Sequence, residues 1–264
     1  MRTVNTRYQS PGLSDFYSSH RLRYSQFYPT ERAAFESLDL GPETSILDIG
    51  CACGGLGLAL NEHCGCTDYT GLEIHAEAAR IGHGLVTAFG GRVIAGDILE
   101  AQRLLTANDC ADSFDLVVSL SALDWNLSVA ENVRAAWALV RDGGHLLMSV
   151  RLHPDTCLLD LHTSYQPTTP EANEAVEIAP YVVMAVPTAM QFATELGAAR
   201  VTVFGHGGRP SSTAVTPVDE CIFAVAVLAK DSSAASTIFD IRSPIELVDV
   251  VREHSANSII APDS

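Results

Sequence analysis

The stretch Ile46 to Leu60, ILDIGCACGGLGLAL, decides how the rest of the chain is read. Ile46, Leu47, Asp48 and Ile49 have the character of a buried strand with one acid in it. They run into Gly50, Ala52, Gly54, Gly55 and Gly57, and an apolar helical pattern follows at once. The stretch therefore predicts a strand, a tight glycine-rich turn and a helix start. Glycine is needed where the backbone enters conformations closed to other residues, or where a ligand approaches with no room for a Cβ. At the first strand of an α/β unit such a turn is a nucleotide-cofactor site.

Working outward, short apolar strands alternate with amphipathic helices from Ser45 onward, which implies a parallel sheet. Tyr69 to Ile74 reads as a second strand ending in Glu73, which stands 19 residues beyond Gly54. A carboxylate at that distance can accept hydrogen bonds from ribose hydroxyls. A helix is expected over 75–89. Arg92 to Ala95 reads as the third strand, with Asp97 and Ile98 at its end, and Phe114 to Ser119 as the fourth, leading into Asp124, Trp125 and Asn126. A helix from Ser128 to Val140 is expected to stop at Gly143. His145 to Leu152 reads as the fifth strand, Pro187 to Leu196 as a helix, and Ala199 to Phe204 and Glu220 to Leu228 as two more strands.

NAD, FAD and S-adenosylmethionine sites all use glycine turns, so the flanking positions discriminate between them. A dinucleotide turn has apolar residues before its first glycine. Here Asp48, Gly50, Ala52 and Gly54 form Asp-x-Gly-x-(Gly/Ala)-x-Gly, which resembles motif I of the class I S-adenosylmethionine-dependent methyltransferases. S-adenosylmethionine carries no pyrophosphate, so its turn needs no anion cradle. The resemblance implies that Asp48 helps hold the cationic aminoacyl end, an attraction favoured in a partly desolvated cleft. Ala52 departs from the glycine of many members, adding one methyl. Asp97 resembles the motif II residue near the adenine amino group, which requires an acceptor. LVRDGGHLLMSVRL resembles the family's helix, double-glycine turn and strand, and the last two strands its terminal hairpin.

The fold this implies is α/β: a Rossmann-like seven-stranded sheet, mostly parallel with an antiparallel last strand, and helices on both faces. Residues 1–44 are expected to form an N-terminal helical cap, 45–230 the cofactor-binding domain and 231–264 a C-terminal tail. Residues 1–12 are polar and read as frayed. Pro29 should start a helix, and Tyr17, Arg21, Arg23, Tyr24 and Tyr28 could close over the cofactor or simply pack on the sheet. The proline-broken stretch 153–186 interrupts the alternation and is expected to serve substrate binding. The tail should carry a short helix from Ser243 or Pro244, packed on the body or on a second copy of the chain in a homodimer.

Composition narrows the function. A chain of 264 residues with 47% hydrophobic content and mean hydropathy +0.16 can bury a core. No run of eighteen apolar residues exists and MRTVNTRYQSPG lacks a signal core, so a soluble, cytoplasmic protein without a membrane partner is expected. A net charge of −16 with scattered basic residues disfavours nucleic acid. Cys51 and Cys53, followed by Cys64 and Cys66, have spacing unlike structural zinc sites, so no metal is expected.

The cofactor set expected from motif and resemblance is Asp48, Gly50, Ala52, Gly54, Glu73, Ile74, Asp97, Ile98 and Ser119. Tyr24, Tyr28, Trp125, Asn126 and Arg151 are expected to face substrate. A sulfonium is already a strong electrophile, so the remaining task is holding the acceptor in line and, for a hydroxyl, taking its proton. His153, His206 and Asp124 follow strand ends and are the candidates for that base. The stretches SLSALDWN and GRPSSTAVTP resemble bacterial methyltransferases of saccharide or natural-product pathways, which implies O-methylation of a small molecule with S-adenosylhomocysteine as product. The competing readings are a fold of this kind with non-methylating chemistry, an NAD-dependent oxidoreductase, and a non-catalytic S-adenosylmethionine-binding subunit of a partner.

Overall fold

The computed structural model describes residues 5, 18–19, 21–168, 177–242 and 259–260. The strands are β1 (Ile46–Ile49), β2 (Tyr69–Glu73), β3 (Arg92–Ala95), β4 (Phe114–Ser119), β5 (Val140–His153), β6 (Tyr165–Pro167), β7 (Ile178–Pro180), β8 (Met184–Ala185), β9 (Ala198–Gly208), β10 (Cys221–Lys230), β11 (Ile238–Arg242) and β12 (Ile259–Ile260). The helices are α1 (Pro29–Glu36), α2 (Gly55–Cys64), α3 (Ala76–Val86), α4 (Ala101–Ala107), α5 (Val129–Ala138) and α6 (Val186–Glu195).

One sheet has the order β12-β11-β9-β10-β5-β4-β1-β2-β3, with β8 beside the end of β5. β10 runs antiparallel to both its neighbours, while β1, β2, β3, β4 and β5 pair in parallel. The seven strands from β3 to β9 are the expected Rossmann-like sheet. Strand alternation then assigns the faces. Ile46, Tyr69, Leu116 and Val118 pack with Phe35 of α1, Leu56 and Leu60 of α2 and Val86 of α3. Leu47, Ile49, Leu72 and Val117 pack with Leu105 of α4, Val133 and Trp137 of α5 and Met190 of α6. A sheet whose strands are apolar on both faces must be covered on both. The carboxyl ends of the parallel strands therefore open along one edge, between the two helical layers.

Three expectations are corrected. β11 and β12 extend the sheet past β9 in parallel, so parts of the segment expected only to carry a short helix are strands of the main sheet. Phe239 and Ile241 are buried there, and Asp240 between them is held by Arg242 at 3.2 Å and Arg200 at 3.8 Å. The helix expected from Ser243 lies outside the described residues. Next, α5 stops at Ala138, with Leu139 as its C-cap, rather than at Gly143. Asp142 to Gly144 lie instead in the first part of β5, where the register with β4 jumps from Phe114↔Val140 to Leu116↔His145. Gly143 takes φ +76° in that irregularity, and a Cβ on Gly144 would stand 2.8 Å from the Asp115 carbonyl. The double glycine serves the strand entry.

The third correction concerns Asn5, in the segment read as frayed. It is buried, and its amide joins Asp97, Ser128 and Asn132 in one hydrogen-bonded group. Within 153–186, β6 and β7 pair with each other, while Tyr165 bridges to Val215 in the β9–β10 connection. Both segments leave the sheet where the end of β5, the end of β9 and the start of β10 lie side by side.

Candidate active site

The open edge holds a cleft of about 300 Å³, built on the turn after β1. Gly50, Ala52 and Gly54 all have positive φ, at 71°, 48° and 75°. A Cβ on Gly50 would collide with the Cβ of Ala122 across the cleft floor. Ala52 adopts the left-handed region despite its side chain, a strain on the order of 1 kcal/mol that the surroundings must offset. Glu73 supplies part of that offset. Its two carboxylate oxygens accept from the backbone N–H of Ala52 and of His75, each at 2.8 Å, so the end of β2 pins the turn.

Three carboxylates mark the cleft along its length. Asp48 ends up on the α2–α3 side of β1, where its Oδ2 accepts from the Tyr69 hydroxyl at 2.7 Å. Burial pushes its carboxyl up to about 7, against the lowering effect of that hydrogen bond. Burial also raises Glu73, countered by the backbone N–H groups it accepts. Asp97, beyond β3, accepts from the Leu99 N–H and the Asn5 amide, both on Oδ1. Ile74, Ile98, Leu120 and Leu123 supply apolar walls.

Of the expected cofactor residues, Asp48, Gly50, Ala52, Glu73, Ile74, Asp97 and Ile98 line the cleft, and Gly54 and Ser119 do not. Gly54 faces α3, where a Cβ would meet Val86 Cγ1 at 2.6 Å, so its role is fitting the turn against that helix. Ser119 is buried and accepts from the Leu123 N–H.

Among expected substrate residues, Tyr28 and Asn126 line the cleft. Tyr24 stacks on His63 with centroids 3.7 Å apart and donates to the Arg32 carbonyl, so packing of the cap occupies it. Arg151 is committed as well: Nε donates to the Val182 carbonyl, one Nη to the Asp124 carbonyl, and the other pairs with Asp124 Oδ2 at 3.1 Å. Its guanidinium also lies over the rings of Trp125 and Tyr181, at 4.4 and 4.1 Å. This buried cluster ties the segment after β4 to β5 and to the 181–182 segment, which takes Asp124, Trp125 and Arg151 out of the cleft lining.

The two candidate histidines also stand elsewhere. Nδ1 of His153 accepts from the backbone N–H of Asp155 and Thr156, closing the turn after β5. His206 is exposed on β9 and stacks over Phe223. Sequence reasoning missed Asn5 and Ser121 in the lining and Tyr69 behind Asp48. Asn5 and Ser121 carry no sequence signal, and Tyr69 reads only as a strand residue. Arg21, one of the cap residues that could close over the cofactor, does line the cleft. Ser121 has φ +54° with its N–H bonded to Ser149 Oγ, the sort of strained backbone that collects at functional sites.

The chemistry of this donor set suits S-adenosylmethionine. Among the described lining residues Arg21 is the sole lysine or arginine, against three carboxylates. That balance repels a pyrophosphate and attracts a cation bearing hydroxyl and amino groups. No group of three or more His, Cys, Asp or Glu among the described residues is arranged to hold a metal.

Residues 47–146 match the model of a methyltransferase domain family. No curated protein matches the chain by sequence. Among solved structures, the chain is similar to phosphoethanolamine N-methyltransferase 2 of Haemonchus contortus in complex with S-adenosyl-L-methionine. That likeness has a TM-score of 0.52 and 11% identity, over 78% of this chain and 53% of that one. It is also similar to a chain of the Haloferax volcanii complex containing the Trm112 methyltransferase activator, with a TM-score of 0.50 and 12% identity, over 83% of this chain and 93% of that one. At such identities the likeness is one of fold. Together with the family model matched over residues 47–146, it shows a Rossmann-like methyltransferase fold.

Proposed function

We propose that the protein transfers a methyl group from S-adenosylmethionine to a small-molecule acceptor, with O-methylation of a saccharide or natural-product metabolite as the specific form. The observation that carries this reading is the row of carboxylates at three successive strand ends. Asp48 meets the ammonium of the methionine end, Glu73 the ribose hydroxyls, and Asp97 with Ile98 the adenine. Residues 1–44 act as the cap, 45–230 as the catalytic domain, and 153–186 with the β9–β10 connection as the acceptor side. Tyr28, Asn126 and Ser121 are the side chains placed to meet an acceptor.

The cofactor supplies an electrophilic methyl group when bound. The protein's contribution is to orient the acceptor and to exclude water, worth several orders of magnitude in rate. His153 does not line the cleft, and its Nδ1 lies within its own turn, near the N–H groups of Asp155 and Thr156 and 3.0 Å from Asp155 Oδ1, so we assign it the support of that turn. The acidic surface and the size of the cleft favour a metabolite over nucleic acid. Among the described residues no helix is long and apolar enough to cross a membrane.

Calorimetry tests the cofactor assignment. S-adenosylhomocysteine should bind one to one and NAD should give no heat. Glu73→Gln should weaken S-adenosylhomocysteine by about 1–3 kcal/mol, the usual loss for a charge-assisted hydrogen bond. Binding of NAD in place of S-adenosylhomocysteine would turn the reading to an oxidoreductase. Turnover is then measured with methyl-labelled cofactor against hydroxylated metabolites and sugars. Label transfer that begins only when a second protein is added would favour a partner-dependent subunit.

A further inference from the structure

Independently of the cofactor reading, we propose that Cys64 and Cys66 are a redox-active dithiol site, oxidised by a small-molecule disulfide of the glutathione type to a Cys64–Cys66 disulfide beside the seat of the N-terminal cap on α2. Their sulfur atoms stand 3.4 Å apart. Cys64 closes α2, and Gly65, its C-cap, takes φ 76° and ψ 13°, a left-handed turn that glycine makes without a Cβ penalty and that brings the two side chains together. The two thiols are unequal. Cys66 is 1% exposed and donates to the Gly41 carbonyl at 3.2 Å, whereas Cys64 is half-buried and donates to the Leu60 carbonyl, also at 3.2 Å. Burial, with Cys64 adding to it, pushes the Cys66 thiol up to about 12. Cys66 therefore keeps its proton, and Cys64 is the sulfur that a reagent from solvent meets first.

This asymmetry sets the order of exchange. The Cys64 thiolate attacks one sulfur of the glutathione disulfide, whose S–S bond breaks, and one glutathione leaves. Cys66, already in contact, then attacks the Cys64 sulfur of the mixed disulfide; its proton goes to the departing second glutathione as the Cys64–Cys66 bond forms. The protein loses two electrons and two protons, and the glutathione disulfide becomes two thiols. Closing the sulfurs from 3.4 Å to the about 2.05 Å of a disulfide removes both thiol protons, and with them the bonds to the Gly41 and Leu60 carbonyls. The cap rests on the same turn of α2. Arg23 pairs with Glu62 at 3.7 Å, and the Tyr24 ring stacks on His63 with centroids 3.7 Å apart. Burial raises the Tyr24 phenol, with Glu36 and then Cys64 adding, so the thiol lies within electrostatic reach of the cap.

The test incubates the purified full chain, without cofactor, in glutathione buffers of rising disulfide content, then alkylates the remaining thiols in denaturant and maps them by mass spectrometry. With glutathione disulfide in excess, wild type should lose two of its seven alkylatable thiols, the peptide holding Cys64 and Cys66 should be two hydrogens lighter, and dithiothreitol should restore both. Cys66→Ser should stop at the glutathione adduct on Cys64. Hydrogen exchange over residues 21–36 should quicken when wild type is oxidised and stay unchanged when Cys66→Ser is treated in the same way. Both thiols still alkylated in excess glutathione disulfide, a wild type that halts at the mixed disulfide, or a disulfide mapped to Cys51 and Cys53 instead would each overturn the site. Unchanged exchange in oxidised wild type overturns its link to the cap.

Discussion

At the scale of single residues the site is governed by where charge is buried. Asp48 is almost fully enclosed, and its carboxyl titrates near 7 because burial disfavours the ion more than the Tyr69 hydroxyl favours it. A folded-state pKa raised above the ordinary carboxylate value of about 4 means that the fold loses stability as pH rises from about 4 through 7. Asp48→Asn removes that loss. Without cofactor, its melting temperature above pH 7 should exceed that of wild type by at least about 2 °C, the shift that 1 kcal/mol gives in a chain of this size. The gap should close as pH falls toward 4. Ligand binding has the opposite sign, because an ammonium favours the ionised carboxylate and binding then expels a proton. The affinity of wild type for S-adenosylhomocysteine should therefore fall as pH drops below about 7, by up to roughly tenfold per unit, and Asp48→Asn should bind weakly with no such dependence. A flat profile in wild type would remove Asp48 from the ammonium site.

At the scale of elements, the turn after β1 is a joint between three parts. Glu73 at the end of β2 fastens it from one side, and α3 presses on it from the other. A Cβ on Gly82 of α3 would stand 2.9 Å from the Cys53 carbonyl carbon and 3.1 Å from the Ala52 oxygen, both backbone atoms that cannot swing aside. Gly82→Ala should therefore push the helix off the turn, cost about 1–3 kcal/mol and weaken cofactor binding although it touches no ligand. Thermal melts and calorimetry read the two effects. A variant as stable as wild type with unchanged affinity would show that the turn does not depend on α3. Lys230, the single lysine, serves a similar joint: its ammonium donates to the Val140 carbonyl at 2.6 Å and to that of Trp137 at 3.1 Å, where α5 hands over to β5.

At the scale of the whole molecule, the sheet continues past β9, and residues 238–242 belong to the core. Ile241 is 1% exposed and packs in the same cluster as Met190 of α6 and Val203 of β9. Ile241→Ala should cost about 2–5 kcal/mol, as for other fully buried aliphatic residues. Chemical denaturation with a single transition would show β11 unfolding together with the domain. A loss under about 0.5 kcal/mol, the range of surface changes, would mean that β11 is dispensable.

The sequence by itself determined the strand–turn–helix at Ile46 to Leu60, the parallel alternation around it and the carboxylates Asp48, Glu73 and Asp97. These are legible because glycine spacing, strand hydrophobicity and position relative to a turn are local properties of the chain. What only the tertiary structure decided depends on contacts between distant segments. Asn5 meets Asp97 across 92 residues. Arg151 looked free to bind substrate until Asp124, Trp125, Tyr181 and Val182 closed around it. His153 sat at the right strand end but was taken up by its own turn. Arg21 was one arginine among several in an aromatic stretch, and only the fold shows it paired with buried Glu31 in the cleft lining. A residue's type sets what it can bind, and the fold determines which of its hydrogen-bonding groups remain available.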